Sequence, residues 1–375
     1  MKFIERHLSL QLMPLLFKGK ALIITGARQV GKTTLLSNFL KNRTPVLWLN
    51  ADESATRQRL TDPTINDLRN ITGTYKIVVI DEIQRIKNAG LLLKLLVDNF
   101  KNTQIIATGS SALGISDRIF EPLTGRFFLF NLYPFALSEL YPALSPFEVE
   151  KELPFHLVYG NYPEVSLKRD LAEPILKNLS LQYLFKDVLI WNNVRKPELL
   201  DKLLQLLAFQ IGSEVSVNEL ASELKIKSET VVNYIDLLEK SFVVFRLKSY
   251  TSNKRNELKK KSKIYFWDNG IRNAIVDEFK DISIRNDTGQ LFENLIISER
   301  IKMNLWKNHN IKSYFWRNLN KSEVDYVEES HSNLWAFEIK WNRHKKFQVS
   351  KAFKNLYPNA ETKVITPNNF YELIF

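Results

Sequence analysis

The 375-residue sequence contains no cysteine, so it can form neither a disulfide bond nor a thiolate metal site. This absence suits a reducing compartment, and we expect a cytoplasmic protein. No apolar run is long enough to cross a bilayer, and residues 1–7 lack the apolar core of a signal peptide. We therefore expect no membrane partner.

The two charge signs are unequal, with 53 Lys and Arg against 41 Asp and Glu, which gives a net charge of +12. Hydrophobic residues make up 45% and charged residues 25%, a composition typical of globular chains, and the length allows two or three domains. The positive excess favours a polyanionic partner, most simply nucleic acid, although many basic proteins bind none. Basic clusters at residues 254–263 and 343–346 fit either a binding surface or solvated loops.

A glycine-bounded segment near the amino terminus fits the pattern G-x-x-x-x-G-K-[ST]. An apolar run at residues 21–24 precedes it and a helical pattern at residues 35–40 follows, which is the strand, loop and helix context of a P-loop. Backbone N–H groups of such a loop bind phosphate, and glycines allow close approach. The alternative is a glycine turn that only joins a strand to a helix. We predict that ATP binds Gly26, Ala27, Arg28, Gln29, Val30, Gly31, Lys32, Thr33 and Thr34.

An acidic pair, Asp81 and Glu82, follows the apolar run at residues 77–80. Such a run fits a parallel strand buried on both faces, whose carboxyl end lies where open α/β sheets bind ligands. We expect Lys32 to reach the β- and γ-phosphates, while Thr33 and Asp81 hold Mg²⁺. Glu82 then acts as general base toward the attacking water. The alternative interpretation is an acidic helix cap.

Hydroxyl side chains end the next predicted strand, which begins at Gln104. Ser110 is our choice for a polar sensor of the γ-phosphate, with Thr108 and Ser111 as alternatives, although hydroxyls also cap helices. Arg126 precedes a further strand. It is either an arginine finger acting on a neighbouring subunit, which requires a homo-oligomer, or a surface arginine in a salt bridge.

These motifs resemble those of prokaryotic AAA-type P-loop ATPases that carry a C-terminal restriction-endonuclease-like domain of unknown function. The resemblance extends over essentially the whole chain and implies an AAA-like parallel sheet with helices on both faces and a helical lid. We expect the ATPase core at residues 1–150 and the lid at 151–197. The segments that carry the resemblance are residues 26–34, 79–84, 108–111, 123–126, 133–140 and 159–164.

Residues 198–255 have the pattern of a winged helix, with a helix, a short strand, two helices joined by a tight turn, and a strand. Such a module can place its second helix in the major groove of DNA. The alternative is a winged helix that only packs against the ATPase. The second helix contains three acidic residues and no arginine, which weakens base reading. The predicted DNA contacts are Lys225, Lys227, Asn233 and the later basic cluster.

Residues 256–375 contain the D…ExK pattern of restriction-endonuclease-like folds, formed by Asp325, Glu338 and Lys340. On a strand, Glu338 and Lys340 point the same way, because side chains alternate with a period of two. We expect Asp325, Glu338 and, from a preceding helix, Glu293 to bind a divalent metal, with Lys340 activating water. The domain is an active nuclease, a binding domain that keeps the fold, or a set of purely structural charges.

We therefore predict an α/β protein with an AAA-like P-loop core, a helical lid, a winged helix and a C-terminal restriction-endonuclease-like domain. The expected function is ATP binding and hydrolysis by a protein that acts on DNA, with ATP and Mg²⁺ as cofactors. The alternative is a switch whose nucleotide state controls assembly with protein partners, with a catalytically silent C-terminal domain.

Overall fold

The structure, a computed structural model, describes residues 3–43, 45–110, 121–180, 196–251, 262–307, 310–331, 333–343 and 345–375. The described residues divide into two compact units. The first contains those up to residue 133 together with 240–242, and the second contains the remainder. The alternative sensor Ser111 and most of the basic cluster at 254–263 lie outside the described residues.

Five strands form a parallel sheet in the first unit, in the order β2-β3-β4-β1-β5. The three inner strands are apolar and buried on both faces, as expected for parallel strands covered by helices. The strands are β1 (Ala21–Thr25), β2 (Val46–Asn50), β3 (Ile77–Asp81), β4 (Gln104–Gly109) and β5 (Phe127–Asn131). The predicted α/β core with a parallel sheet is therefore confirmed.

Helices surround this sheet and share its core. On one face, Leu92, Leu93 and Leu96 of α5 pack with Val78 and Ile80 of β3 in a single hydrophobic cluster. The described helices of this unit are α1 (Leu8–Leu12), α2 (Lys32–Phe39), α3 (Ser54–Leu60), α4 (Ile65–Thr72) and α5 (Ala89–Asn99), with 3₁₀ turns at Met13–Leu15 and Ile83–Arg85. Because the strands are parallel, their carboxyl ends meet at one edge, where the motif residues lie.

The second unit begins with short helices in the region that the sequence predicts as a lid. Pro146 and Pro163 each occupy the first turn of a helix, a position that needs no N–H donor. The elements are α6 (Leu137–Leu140), α7 (Pro146–Tyr159), α8 (Pro163–Leu167) and α9 (Ala172–Leu179), with a 3₁₀ turn at Arg169–Leu171. Residues 181–195, the rest of the predicted lid, lie outside the described chain.

Three helices and two strands follow in the region predicted as a winged helix, and the strand that completes their hairpin lies just beyond that region, at residues 262–266. The short strand β6 and the strand β7 both pair antiparallel with β8. The elements are α10 (Pro197–Phe209), β6 (Glu214–Val215), α11 (Val217–Leu224), α12 (Ser228–Lys240), β7 (Val244–Ser249) and β8 (Ser262–Phe266). Ser228 is the first residue of α12, and its hydroxyl donates to Asn218 Oδ1 at 2.9 Å.

The hairpin belongs to a larger mixed sheet of seven strands, in the order β12-β11-β10-β9-β7-β8-β6. Strand β7 pairs antiparallel with β8 on one side and parallel with β9 on the other. Strands β9 (Lys312–Arg317), β10 (Glu323–Ser330) and β11 (Asn333–Ile339) form an antiparallel meander, and β12 (Glu361–Ile365) runs parallel to β11. One sheet therefore joins the predicted wing to the predicted C-terminal domain.

Four helices accompany this sheet. They are α13 (Asn269–Ile275), α14 (Thr288–Trp306), α15 (Lys351–Leu356) and α16 (Tyr371–Ile374), with a 3₁₀ turn at Ile282–Ile284. The longest, α14, buries charged side chains as well as apolar ones: Glu299 accepts from Leu137 N, Asn161 Nδ2 and Lys302 Nζ. Within the described ranges, no helix is both long and apolar enough to cross a membrane.

Candidate functional site

The P-loop lies between β1 and α2, and its two framing glycines meet different steric demands. Gly31 has a φ of +91°, which a residue with a side chain rarely adopts. A Cβ on Gly26 would lie 2.2 Å from the carbonyl oxygen of Leu132, next to the end of β5. The sequence explains both glycines by phosphate contact, but the structure gives Gly26 an additional reason: close packing against the neighbouring strand.

Lys32 begins α2 and is almost fully buried. Its ammonium donates to the carbonyl oxygens of Gly26 and Ala27 at 2.9 Å each. The ammonium group of Lys32 therefore lies against the loop that is predicted to bind the phosphates.

Thr33 and Asp81 bring the two nucleotide motifs together. The Thr33 hydroxyl donates to Asp81 Oδ2 at 2.8 Å, and Asp81 Oδ1 accepts from Thr108. A hydroxyl and a carboxylate are the hard oxygen ligands that Mg²⁺ prefers. The residues present therefore fit the predicted magnesium position.

Glu82 follows β3 with a φ of +53°, in the left-handed region that is uncommon for a residue with a side chain. Its backbone N–H donates to Thr108 Oγ1 at 3.2 Å. Its carboxylate accepts from the side chain of Gln84, which also donates to Ser110 Oγ at 2.9 Å. The predicted base and the predicted sensor are therefore joined by Gln84, which the sequence shows only as the last residue of the segment 79–84.

Arg126 lies at the opposite edge of the sheet from the P-loop. It precedes β5, and five residues of strand, roughly 16 Å, separate it from Asn131, which pairs with Thr25. Its guanidinium makes an ion pair with Asp98 at 2.8 Å. In this chain the arginine is thus in a salt bridge, and an arginine finger acting on a neighbouring subunit stays a prediction.

Arg6 is a contributor to the loop that the sequence does not reveal. Its buried guanidinium donates to Val30 O at 2.8 Å and to Tyr133 O at 2.6 Å. It therefore links the amino-terminal segment to the P-loop and to the residues after β5. No motif surrounds Arg6, so only the three-dimensional arrangement identifies this role.

The residues of the D…ExK pattern lie together in the second unit. Lys340 Nζ is 2.7 Å from Asp325 Oδ2 and 2.8 Å from Glu338 Oε1. The backbone N–H of Ile339 donates to Asp325 Oδ2 at 2.8 Å. The β9–β10 pairing shifts register between Val324 and Val327, an irregularity that re-aims side chains and that contains Asp325.

Glu293 enters the same centre from α14, but it has its own partners. Tyr265 Oη donates to Glu293 Oε1 at 2.6 Å, and Lys263 Nζ lies 3.4 Å from the same oxygen. Lys263, which is 2% exposed, also pairs with Glu323 at 2.5 Å. Lys263 and Tyr265 lie on β8, and the sequence-based prediction includes neither of them in the acidic centre, because it assigns Lys263 to the basic cluster and gives Tyr265 no role.

Burial sets the protonation of this acidic centre. It raises the pKa of Glu293 to about 7, helped by the charge of Asp325 and opposed by Lys263. It likewise raises the pKa of Glu338 to about 7, again with Asp325 adding and Lys340 opposing. Burial lowers the pKa of Lys340, but Asp325 and Glu338 outweigh burial and hold it above its usual value. The lysines thus stay charged while the two glutamates take up protons near neutral pH.

The predicted metal position at Glu293, Asp325 and Glu338 requires three ligands around one point. In the described part of the chain, no three His, Asp or Glu side chains are arranged to hold an ion. One buried oxygen, Glu338 Oε2, has no hydrogen-bond partner among the described residues. The arrangement therefore does not fit a three-carboxylate metal site, and we derive no metal-dependent step from it.

The predicted DNA-contacting residues lie on the surface of the helix pair. Lys225, Lys227 and Asn233 are exposed, and Lys225 ends α11 with a φ of +54°. Two acidic residues of α12 have a partner: Arg246 of β7 pairs with Asp236 and lies 3.0 Å from Glu239. Arg246 therefore gives two of the three acids of α12 a cationic partner, and its single positive charge offsets one of their negative charges.

Three known families match successive parts of the chain. Residues 18–141 match an AAA domain, residues 150–282 match a domain of unknown function (DUF8612), and residues 288–372 match another (DUF4143).

Curated relatives align along most of the chain. An uncharacterized protein of Haemophilus influenzae is 25% identical over 350 residues, covering 86% of this chain and 84% of that protein. An uncharacterized protein of Mycobacterium tuberculosis is 25% identical over 351 residues, covering 90% of this chain and 74% of that protein. An uncharacterized protein of Methanocaldococcus jannaschii is 30% identical over 306 residues, covering 69% of this chain and 63% of that protein.

Two solved structures show partial likeness. The Walker-type ATPase of Pyrococcus abyssi aligns with a TM-score of 0.47 and 17% identity, covering 73% of this chain and 96% of that one. The Aeropyrum pernix Orc1 protein in complex with DNA aligns with a TM-score of 0.35 and 14% identity, covering 74% and 93%. The matched AAA domain, the parallel sheet and the P-loop agree: the chain carries an AAA-type P-loop ATPase domain.

Proposed function

We propose that this chain binds and hydrolyses ATP and couples nucleotide state to work on DNA. The observation that carries the first part is the contact of the Thr33 hydroxyl with Asp81, with Glu82 as the next residue. Phosphoryl transfer needs correctly positioned charges more than covalent chemistry. The residues at the carboxyl ends of the parallel strands supply such charges.

Each residue of the edge has a defined task in this proposal. The loop N–H groups and Lys32 hold the β- and γ-phosphates, and Thr33 and Asp81 hold Mg²⁺. The ion, when bound, neutralises charge on the phosphate oxygens. Glu82 accepts the proton of the attacking water, and Ser110 contacts the γ-phosphate.

The test is a measurement of phosphate release together with nucleotide binding. We expect Mg²⁺-dependent hydrolysis of ATP by the parent protein. The Glu82→Gln variant should bind ATP as the parent does and should not turn it over. Binding without hydrolysis by the parent would limit the function to a nucleotide-controlled switch.

DNA is the partner that we propose for the second unit. Helices α11 and α12, the hairpin β7–β8 and the short strand β6 are consistent with a winged helix. Lys225 and Lys227 are exposed at the turn between the helices. Arg246 pairs with two acids of α12 and offsets one of their charges, which weakens the objection that this helix repels DNA. Salt-sensitive affinity for duplex DNA would support this assignment, since bound phosphates release counterions.

The C-terminal part is consistent with a restriction-endonuclease-like arrangement. A long helix precedes three antiparallel strands, and a further helix leads to a strand parallel to the third. DNA cleavage is the more demanding proposal, because Glu293, Asp325 and Glu338 do not form a three-carboxylate ion site among the described residues. The buried Glu338 Oε2, which has no hydrogen-bond partner there, is the atom of this centre that a ligand would satisfy. Incubation with Mg²⁺ or Mn²⁺ and with linear, branched and supercoiled DNA tests it.

A second candidate function is the protein-assembly switch, with a silent C-terminal centre. The observation in its favour is that Lys340 forms ion pairs with both Asp325 and Glu338. In that case no DNA is cut, and the oligomeric state changes between ADP and ATP. Light scattering in each nucleotide, run beside the DNA assays, distinguishes the two.

A further inference from the structure

Gln84 connects the predicted base of the ATPase to the predicted sensor. It lies in the 3₁₀ turn Ile83–Arg85 and is 6% exposed. One side-chain nitrogen, Nε2, donates to both the Glu82 carboxylate and the Ser110 hydroxyl, the latter at 2.9 Å. Both N–H groups of the amide therefore donate to residues that are predicted to act in the same reaction.

The backbone around Glu82 is already fixed by other contacts. Its N–H is bound to Thr108, and its φ is +53°. A fixed backbone still leaves a glutamate side chain free to rotate about three bonds. Among the described residues, Gln84 donates to the Glu82 carboxylate and thereby restricts that rotation.

The other end of the amide gives an independent observation. Gln84 Oε1 is buried and accepts no hydrogen bond within the described residues. A buried acceptor without a donor is unfavourable, so stability alone does not explain a glutamine here. Leucine has similar bulk and would leave no such atom. The position therefore indicates a task for the amide N–H groups.

We propose that Gln84 is a positioning residue for ATP hydrolysis, holding the Glu82 carboxylate beside Ser110 and toward the attacking water. The proposal rests on the ATP hydrolysis proposed above. It assigns Gln84 no contact with nucleotide. Loss of the amide should therefore lower kcat and leave ATP affinity in place, since misorientation of a base slows the chemical step alone.

The first experiment compares Gln84→Leu with Gln104→Leu in the full chain. Gln104 is also a buried, hydrogen-bonded glutamine of the first unit, but it lies at the far end of β4 from Ser110. We expect Gln84→Leu to lower kcat at least tenfold with the dissociation constant of ATP within threefold of the parent. Gln104→Leu should keep kcat within twofold of the parent, even if its melting temperature falls as much as that of Gln84→Leu.

Two further measurements separate positioning from packing. In a double-mutant cycle with Ser110→Ala, the effect of Gln84→Leu should shrink, because the three side chains act together. In Gln84→Glu, two carboxylates at hydrogen-bond distance share a proton at low pH and repel at high pH. The kcat of that variant relative to the parent should therefore fall as pH rises from 6 to 9.

The outcomes decide the matter. A kcat of Gln84→Leu within twofold of the parent, an equal loss in Gln104→Leu, or a loss confined to ATP affinity would overturn the proposal. So would additive effects in the cycle together with a flat pH ratio for Gln84→Glu. Failure of the proposed function is a different result: the parent itself would bind ATP and release no phosphate, which would remove this role as well.

Discussion

Thr33 and Asp81 are 48 positions apart in sequence, yet the hydroxyl of the first donates to Oδ2 of the second at 2.8 Å. The contact exists because β1 and β3 are parallel and their carboxyl ends meet at one edge. It joins the phosphate-binding loop to the acidic motif.

Replacement of Lys32 by alanine should remove the charge that the P-loop supplies to the β- and γ-phosphates. We expect kcat/KM for ATP to fall at least about 100-fold, since a lysine clamp on the phosphates contributes several kcal/mol. Phosphate release at several ATP concentrations measures it. Lys41→Ala, which removes an exposed lysine shortly after the same helix, should leave turnover unchanged. Normal turnover by the Lys32 variant would refute the nucleotide site.

Replacement of Glu82 by glutamine should abolish the general base and keep the shape of the side chain. We expect kcat to drop by about 100-fold or more, the typical contribution of such a base, with ATP affinity within about threefold of the parent. Fluorescent-nucleotide titration and phosphate release together give both values. Glu53→Gln, at an exposed glutamate after β2, is the matched control. A comparable fall in that control would point to a general loss of charge.

The double variant Lys225→Ala/Lys227→Ala should weaken DNA binding without abolishing ATP turnover. If both lysines contact phosphates, the slope of log affinity against log salt should become less negative by about 1 to 2. Fluorescence anisotropy from 50 to 300 mM salt, a range of about sixfold, provides that slope. Lys202→Ala/Lys280→Ala removes the same charge from exposed positions elsewhere. Equal slopes for the two double variants would show that the turn has no special role.

His156 should make the protein less stable in acid. It is fully buried between Tyr141 Oη and Gly160 O, and burial lowers its pKa to about 4. Between pH 6.5 and 4 the unfolded chain binds a proton that the folded chain refuses, so stability falls as pH falls, by up to about 3 kcal/mol. Denaturant unfolding at pH 7 and 4.5 measures this loss.

The variant His156→Gln should show a smaller loss over the same pH range than the parent. Burial raises the pKa of Asp268 to about 6, so this group stabilises the folded protein as the pH falls. Its contribution is the same in the parent and in His156→Gln, and it cancels when their stability losses are subtracted. His331→Gln, at an exposed histidine, should behave as the parent. An identical pH dependence for His156→Gln and the parent would contradict the assignment.

Sequence patterns predicted those features that local chemistry determines. The alternation of apolar runs and glycines located the P-loop, and four apolar residues before Asp81 located the inner strand β3. The D…ExK spacing placed Asp325, Glu338 and Lys340 close together, and the structure has their side chains in contact. In each case the relevant neighbours lie on one strand or at the ends of adjacent strands.

Contacts that depend on packing between distant elements were not predictable in this way. Arg6 reaches Val30 and Tyr133 because the amino-terminal segment lies against the loop, and no pattern marks it. Lys263 of β8 pairs with Glu293 of α14 and with Glu323 at the start of β10, elements that are distant from it in the sequence. The sequence shows Lys263 merely as the last of several lysines.

Strand β7, the last strand of the predicted winged helix, has hydrogen-bonded neighbours on both sides, β8 and β9, which both lie in the region predicted as the C-terminal domain. A chain cut near residue 256 would separate β8 from β7 and leave an open strand edge on each fragment, and such edges favour aggregation. The wing and the acidic centre should therefore be kept together in evolution, in protein expression and in domain exchange. Exchange of either between relatives would have to transfer the whole sheet.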